Sequence, residues 1–141
     1  MATLLHHVAK FARKHSDDPN TKVGACLVAD GKHTFGANRF YALPEGKTKE
    51  EVLANRELKL AYITHAEVDV ITRSGKTEGG TLYVNYTPCD KCAMHIAAAG
   101  IVKVVSIKPT DPALIERWSK YWVIGQQVLR DNGVEYVEHD A

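Results

Sequence analysis

Leu4, Leu5, Val8, Phe11 and Ala12 recur at the spacing of one helix face. They predict a first helix that ends near Ser16, because Asp17-Asp18-Pro19-Asn20 is turn chemistry. The pattern then changes. Residues 21–30, TKVGACLVAD, form a near-continuous apolar run that predicts a buried strand, and Asp30-Gly31 predicts a hairpin into a second strand over 32–38. Residues 41–47, YALPEGK, read as a loop. Val52, Leu53, Arg56 and Leu60 at helical intervals predict a charged helix over 48–61.

From residue 65 the alternation is regular. A helix over 65–73 gives way to Gly75 and a loop, and TLYVNY reads as a strand. A helix over 88–99 stops at Gly100, a natural residue just past a helix end. IVKVVSI is a β-branched strand, Pro112 opens a long helix that closes near Asn132-Gly133, and VEYVEH is a last short strand. Strands alternating with helices imply crossover connections and a sheet covered on both faces. The expected fold is α/β in three layers: a hairpin leading into a mostly parallel sheet of about five strands.

Composition narrows the class. The 141 residues suggest one compact domain, 1–141. The chain is 45% hydrophobic and 25% charged, ordinary for a globular protein that needs no disulfide to hold a core. Lys+Arg number 18 against 17 Asp+Glu, which leaves no electrostatic footprint for long nucleic acid and still allows a small anionic ligand held by local cations. Three cysteines make a poor disulfide framework and suit a reducing compartment. The first residues read as neither a signal nor a transit peptide, and no apolar run is long enough to cross a bilayer, so a cytoplasmic location is expected.

Two of the cysteines form Cys89-x-x-Cys92. Alone, that pair is compatible with redox chemistry, half of a structural zinc site, or a catalytic centre. Thr64-His65-Ala66-Glu67 and Thr87-Pro88-Cys89-Asp90 both fit a capping box, so His65, Cys89 and Cys92 are expected near the starts of two helices. The partial positive charge there favours the thiolates that bind metal. One His and two Cys suffice for a catalytic zinc whose fourth position takes water. His95 is about 9 Å of helix rise from Cys89, too far to join one tetrahedral ion. Cys26 lies in a strand pattern that favours a buried apolar role, yet spacing alone leaves it open as a ligand. Glu67, two residues after His65, is placed to move protons over the helix start. A redox pair needs neither that His nor that Glu.

His65-Ala66-Glu67 and Pro88-Cys89-Asp90-Lys91-Cys92 match the H-x-E…P-C-x-x-C signature of zinc-dependent nucleobase deaminases. Longer blocks, including DPNTKVGACLV, NRELKLAYITHAEVDVI and GGTLYVNYTPCDKCAMHIAAAGIVKVVSI, resemble the deoxycytidylate (dCMP) deaminase family and cover most of residues 17–137. The resemblance implies a mixed sheet of the cytidine deaminase type and hydrolysis of dCMP to dUMP and ammonia. It implies zinc on His65, Cys89 and Cys92, with Glu67 as general acid and base. It further implies Asn38 at a sugar hydroxyl, the backbone amide of Ala66 at the base, and Tyr86 in the pocket wall. Lys22 and Arg39 are expected phosphate contacts on charge and position. Similar enzymes are commonly hexamers, so a homo-oligomer is expected.

The chain also departs from that family. Gly36-Ala37-Asn38-Arg39 stands where members regulated by dCTP and dTTP carry Gly-Tyr-Asn-Gly, and Val68-Asp69 follows the signature where the family often has x-Asn. Asn85 replaces a frequent Thr. Each site residue has a plainer reading: Glu67 as a cap, Asn38 as a turn residue, Tyr86 as packing, Lys22 and Arg39 as solvated charges. Trp118, Tyr121 and Trp122 on the long helix read as core or subunit interface. The alternatives to a dCMP deaminase are an enzyme for a related or modified cytosine nucleotide, a nucleic-acid editing deaminase, and a non-catalytic zinc scaffold.

Overall fold

The computed structural model describes residues 2–140. Helix α1 (Ala2–His15) buries Leu5, Val8 and Ala12, the stripe expected from their spacing. Strands β1 (Gly24–Ala29) and β2 (Lys32–Ala37) form the expected hairpin. Asp30 and Gly31 both take positive φ at its tip, 54° and 74°, as a two-residue turn requires.

The main sheet adds β5 (Thr81–Val84), β6 (Lys103–Ile107) and β7 (Glu135–His139) in the order β2-β1-β5-β6-β7. Only β5, β6 and β7 run parallel, while β1 is antiparallel to both neighbours. The sheet is therefore mixed rather than mostly parallel. The cause is topological: the chain leaving β2 crosses over β1 to reach β5, so β2 and β5 share a direction with β1 between them.

The two faces are covered by different helices. Gly24 pairs with Ala37, and Ala25 with Gly36, so the bare faces of Gly24 and Gly36 point opposite ways. A β-carbon at Gly24 would meet the Val8 carbonyl of α1 at 2.5 Å; one at Gly36 would meet Val70 of α4 (Ala66–Ser74) at 2.6 Å. On the α4 face, Ala25, Leu27, Leu82, Val84 and Val104 pack with Val70, with Ile96 of α5 (Asp90–Ala98) and with Leu129 of α6 (Pro112–Asp131). Among the described residues, no helix is long and apolar enough to cross a membrane.

The charged segment is not one helix. It divides into α2 (Lys49–Ala54) and α3 (Arg56–Tyr62) at Asn55, whose backbone is extended. Thr48 and Glu51 form a capping box for α2, and the Asn55 side chain accepts from the Leu58 amide at 3.1 Å to start α3. An Asn that bonds its own backbone competes with helix continuation, which explains the break. Short strands β3 (Arg39–Phe40) and β4 (Ile63–Thr64) pair antiparallel and close the excursion. Two ion pairs of 2.8 Å, Lys49–Asp17 and Lys59–Asp18, fasten it to the turn after α1.

Candidate metal centre and active site

The helices that carry the signature begin later than the expected capping boxes, α4 by one residue and α5 by two. His65 and Cys89 themselves occupy the N-cap positions of α4 and α5, with extended backbone and no side-chain capping bond. Thr64 is withheld from capping by its place in the β3–β4 ladder. The Thr87 hydroxyl accepts from the Tyr136 phenol at 3.1 Å instead. Glu67 is therefore not the reciprocal member of a capping box, and a structural role as a cap does not account for it.

His65 Nδ1 lies 3.1 Å from Cys92 Sγ and 3.7 Å from Cys89 Sγ, and the three donor atoms all fall within 4.8 Å of one another. Zinc bonds of ordinary length subtend donor separations of about 3.5 Å at a tetrahedral ion, so this nitrogen and two sulfurs fit zinc in spacing and in softness. The hydrogen bond with Cys92 holds the Cys89 thiol down to about 4 against the opposing effect of burial, and His65 adds to the lowering. Cys92, in the same bond, keeps its proton. The bond to Cys89 raises His65, outweighing burial. Cys26 is fully buried in β1, and burial pushes its thiol up to about 11. It stands apart from the cluster, as does His95.

Glu67 is buried beside this cluster, and burial pushes its carboxyl up to about 7 against the attraction of His65. Such a group sits near the midpoint where a proton can be both taken and returned at neutral pH. A pocket of about 130 Å³ opens on it, lined among others by His65, Ala66, Glu67, Cys89, Asn38 and Tyr86.

Asn38 is nearly spent on its own scaffold. Its Oδ1 accepts from the Ser16 hydroxyl and from the Val23 amide at 3.1 Å, and its Nδ2 donates to the Thr21 carbonyl at 2.8 Å. A side-chain amide offers two donors and two acceptor sites. One N–H is left for the pocket. Asn85 works as a splint behind Val23, accepting from the Gly24 amide at 2.8 Å and donating to the Lys22 carbonyl at 3.1 Å.

Lys22 and Arg39 do not line the pocket. Lys22 donates to the Asp18 carbonyl at 3.1 Å, and Arg39 Nε stands 3.0 Å from the buried Asp69 carboxylate. The cations that do line it are Arg56 and Lys59 of α3 and Arg117 of α6. Trp118 and Trp122 also belong to the pocket wall, whereas Tyr121 is exposed. In sequence the only signal was local: Arg56 and Lys59 are three apart on one helix face, and Arg117 precedes Trp118.

The family model for the cytidine and deoxycytidylate deaminase zinc-binding region matches residues 2–108. Human deoxycytidylate deaminase is 34% identical over 107 residues, covering 70% of this chain and 59% of the relative. The orangutan enzyme is 32% identical, again with 59% of its length covered, so the chain spans about three-fifths of these curated relatives. An uncharacterized deaminase in the luxG 3′ region of Aliivibrio fischeri is 30% identical over 95% of this chain and 90% of its own. The fold is similar to the dCMP deaminase of cyanophage S-TIM5, solved with dCMP and dUMP, at a TM-score of 0.70 and 24% identity over 98% of this chain and 95% of that one. The matched span contains both halves of the His-Cys-Cys cluster and Glu67, and the chain belongs to the cytidine and deoxycytidylate deaminase zinc-binding family.

Proposed function

We propose that this protein hydrolyses the 4-amino group of dCMP, releasing dUMP and ammonia. The observation that carries the reading is Glu67: a buried carboxyl raised toward neutrality, between a His-Cys-Cys donor set and a pocket rimmed by cations. His65, Cys89 and Cys92 would hold the zinc, a Lewis acid that makes water nucleophilic near neutral pH. Glu67 takes a proton from the attacking water and passes it to ring N3, then takes the second from the new C4 hydroxyl and delivers it to the departing amino nitrogen. The C4–N4 bond breaks, C4 gains the oxygen, and one water is consumed per ammonia.

The remaining residues bind and orient. The Ala66 amide, in the first turn of α4, meets the base, and Tyr86 lines its side. The spare N–H of Asn38 donates to the sugar hydroxyl. Arg56 and Arg117, which make no ion pair with a described residue, receive the phosphate, and Lys59 reaches the same space from its pair with Asp18. Exposed Tyr121, Val123 and Ile124 on α6 support a homo-oligomer, with the hexamer as the form suggested by resemblance. The three free cysteines suit the cytoplasm.

The test is ammonia release by zinc-loaded protein from dCMP, CMP, deoxycytidine and cytidine, with Glu67→Ala as control. Turnover of dCMP well above deoxycytidine is expected, together with an inactive variant that retains zinc. No turnover of any of the four by zinc-bound protein would overturn the reading.

A further inference from the structure

Asp69 is fully buried, yet it does not line the pocket at Glu67 and is not one of the His-Cys-Cys donors. Its Oδ2 accepts from the Ala37 amide at 3.0 Å and stands 3.0 Å from Arg39 Nε. Its Oδ1 accepts from Arg73 Nε at 3.1 Å and from the Tyr41 hydroxyl at 2.5 Å. Arg73 also donates to the Phe35 carbonyl. One carboxylate thus gathers partners from β2, from β3, from the loop beyond and from its own helix. The bare face of Gly36 permits this, since a β-carbon there would stand 2.8 Å from Asp69 Oδ2.

The partners define what the carboxylate holds. Ala37 and Arg39 flank Asn38, so one hydrogen bond and one ion pair of Asp69 bracket the residue that offers its spare N–H to the pocket. Asp69 itself sits three residues after Ala66 and two after Glu67 on α4. That helix is fixed by Ala66 and Val70 in the core, whereas the bend at Asn38 lies at the edge strand β2. A buried carboxylate also requires compensating charge, which Arg39 and Arg73 supply.

We propose that Asp69 is a positioning residue that sets Asn38 at a fixed distance from the Glu67 end of α4, with Arg39 and Arg73 as its counter-ions. The inference rests on the dCMP reading for its kinetic test, and on geometry alone for its second test. A contact between Asn38 and a sugar hydroxyl is made in ground and transition states alike, so loosening it acts on KM.

Asp69→Asn keeps the shape and removes the charge. Zinc-loaded Asp69→Asn is expected to raise the KM for dCMP about tenfold, the size of one lost hydrogen bond, with kcat held within about twofold. With 2′,3′-dideoxycytidine monophosphate, which lacks the hydroxyl, wild type and variant should give the same KM. In ligand-free protein, amide hydrogen exchange should quicken at Ala37–Phe40 while Val70 and Ile71 keep their protection. An unchanged KM for dCMP, an equal rise with the dideoxy analogue, or exchange quickened throughout α4 would each overturn the proposal. Should wild-type protein fail to turn over dCMP, the functional reading fails and the exchange comparison alone decides on Asp69. If Asp69→Asn does not fold, Tyr41→Phe removes one bond to the same carboxylate and is read by the same two measurements, with smaller changes in the same direction expected and no change in either overturning the proposal.

Discussion

Gly125 of α6 rests directly on the backbone at Cys89. A β-carbon at Gly125 would stand 2.6 Å from the Pro88 carbonyl oxygen and 3.1 Å from the Cys89 carbonyl. Neither partner is a flexible side-chain end, so a larger residue must push the α5 start or α6 itself. Gly125→Ala is expected to cost about 1–3 kcal/mol of stability, the usual penalty of overpacking. It should also weaken zinc binding, because Cys89 is the residue displaced. Thermal unfolding and zinc competition against a chromogenic chelator measure the two effects. A loss of stability with unaltered zinc affinity would show that α6 does not fix Cys89.

The cations of the pocket rim should separate phosphate recognition from base chemistry. Arg117→Ala and Arg56→Ala are expected to raise the KM for dCMP about tenfold each, as one lost charged contact does. Deoxycytidine, which has no phosphate, should be turned over as by wild type. Lys22→Ala should leave both substrates unaffected. Steady-state kinetics on the pair of substrates checks all three, and an equal loss on deoxycytidine would remove the arginines from the phosphate.

Acid should loosen the latch between the turn after α1 and the charged segment. Burial alone would raise Asp18, but its hydrogen bonds with Lys59 and with the Asn20 and Thr21 amides outweigh it and lower the carboxyl below 3.8. Asp17 is lowered in the same way, against burial, by Lys49 and the Phe40 amide. A carboxylate lowered on folding stabilises the protein above its unfolded value, and that contribution disappears as pH falls through the folded one. Stability should therefore fall below about pH 4. Asp18→Asn should flatten that fall while lowering stability at pH 7. Urea unfolding between pH 7 and 2.5 tests it, and identical slopes for wild type and variant would count against the latch.

Zinc removal should affect two helices at once. His65 and Cys89 each start a helix without capping it, and their donor atoms converge. A ligand that binds the folded chain raises its stability in proportion to the logarithm of its excess over Kd. Chelation is expected to lower the melting temperature and to quicken amide exchange in the first turns of α4 and α5, leaving β6 protected. Uniform exchange changes across the sheet would contradict this.

Much of this molecule was legible in the sequence, and the reasons are local. The 3.6-residue stripe of α1, the Asp30-Gly31 turn, and the His65…Cys89-x-x-Cys92 spacing are each decided by a few neighbours. The sequence places the starts of α4 and α5 one and two residues too early because Thr64 and Thr87 look like caps, while the competing partners of both, Arg39 and Tyr136, come from elsewhere in the chain. Asn55 broke the charged helix with a side-chain bond that competes with the apolar spacing across it. Arg39 looked like a free cation until Asp69, thirty residues away, claimed it. Arg117 could be assigned to the pocket only once α6 had been folded back over α5. Convergence of distant residues, unlike periodicity, leaves no mark along the chain.

The excursion from Tyr41 to Tyr62 leaves and re-enters the domain through adjacent rungs, Arg39 with Thr64 and Phe40 with Ile63. It is further attached by a buried Val52, by the Tyr41 hydroxyl on Asp69 and by the two latches to Asp17 and Asp18. It contributes Arg56 and Lys59 to the rim and none of the zinc donors. The protein is in this sense built as a chassis with a replaceable cassette. A change of charge at Arg56 falls inside the cassette, apart from the zinc donors. The His-Cys-Cys donor set stays at the starts of helices packed on the core.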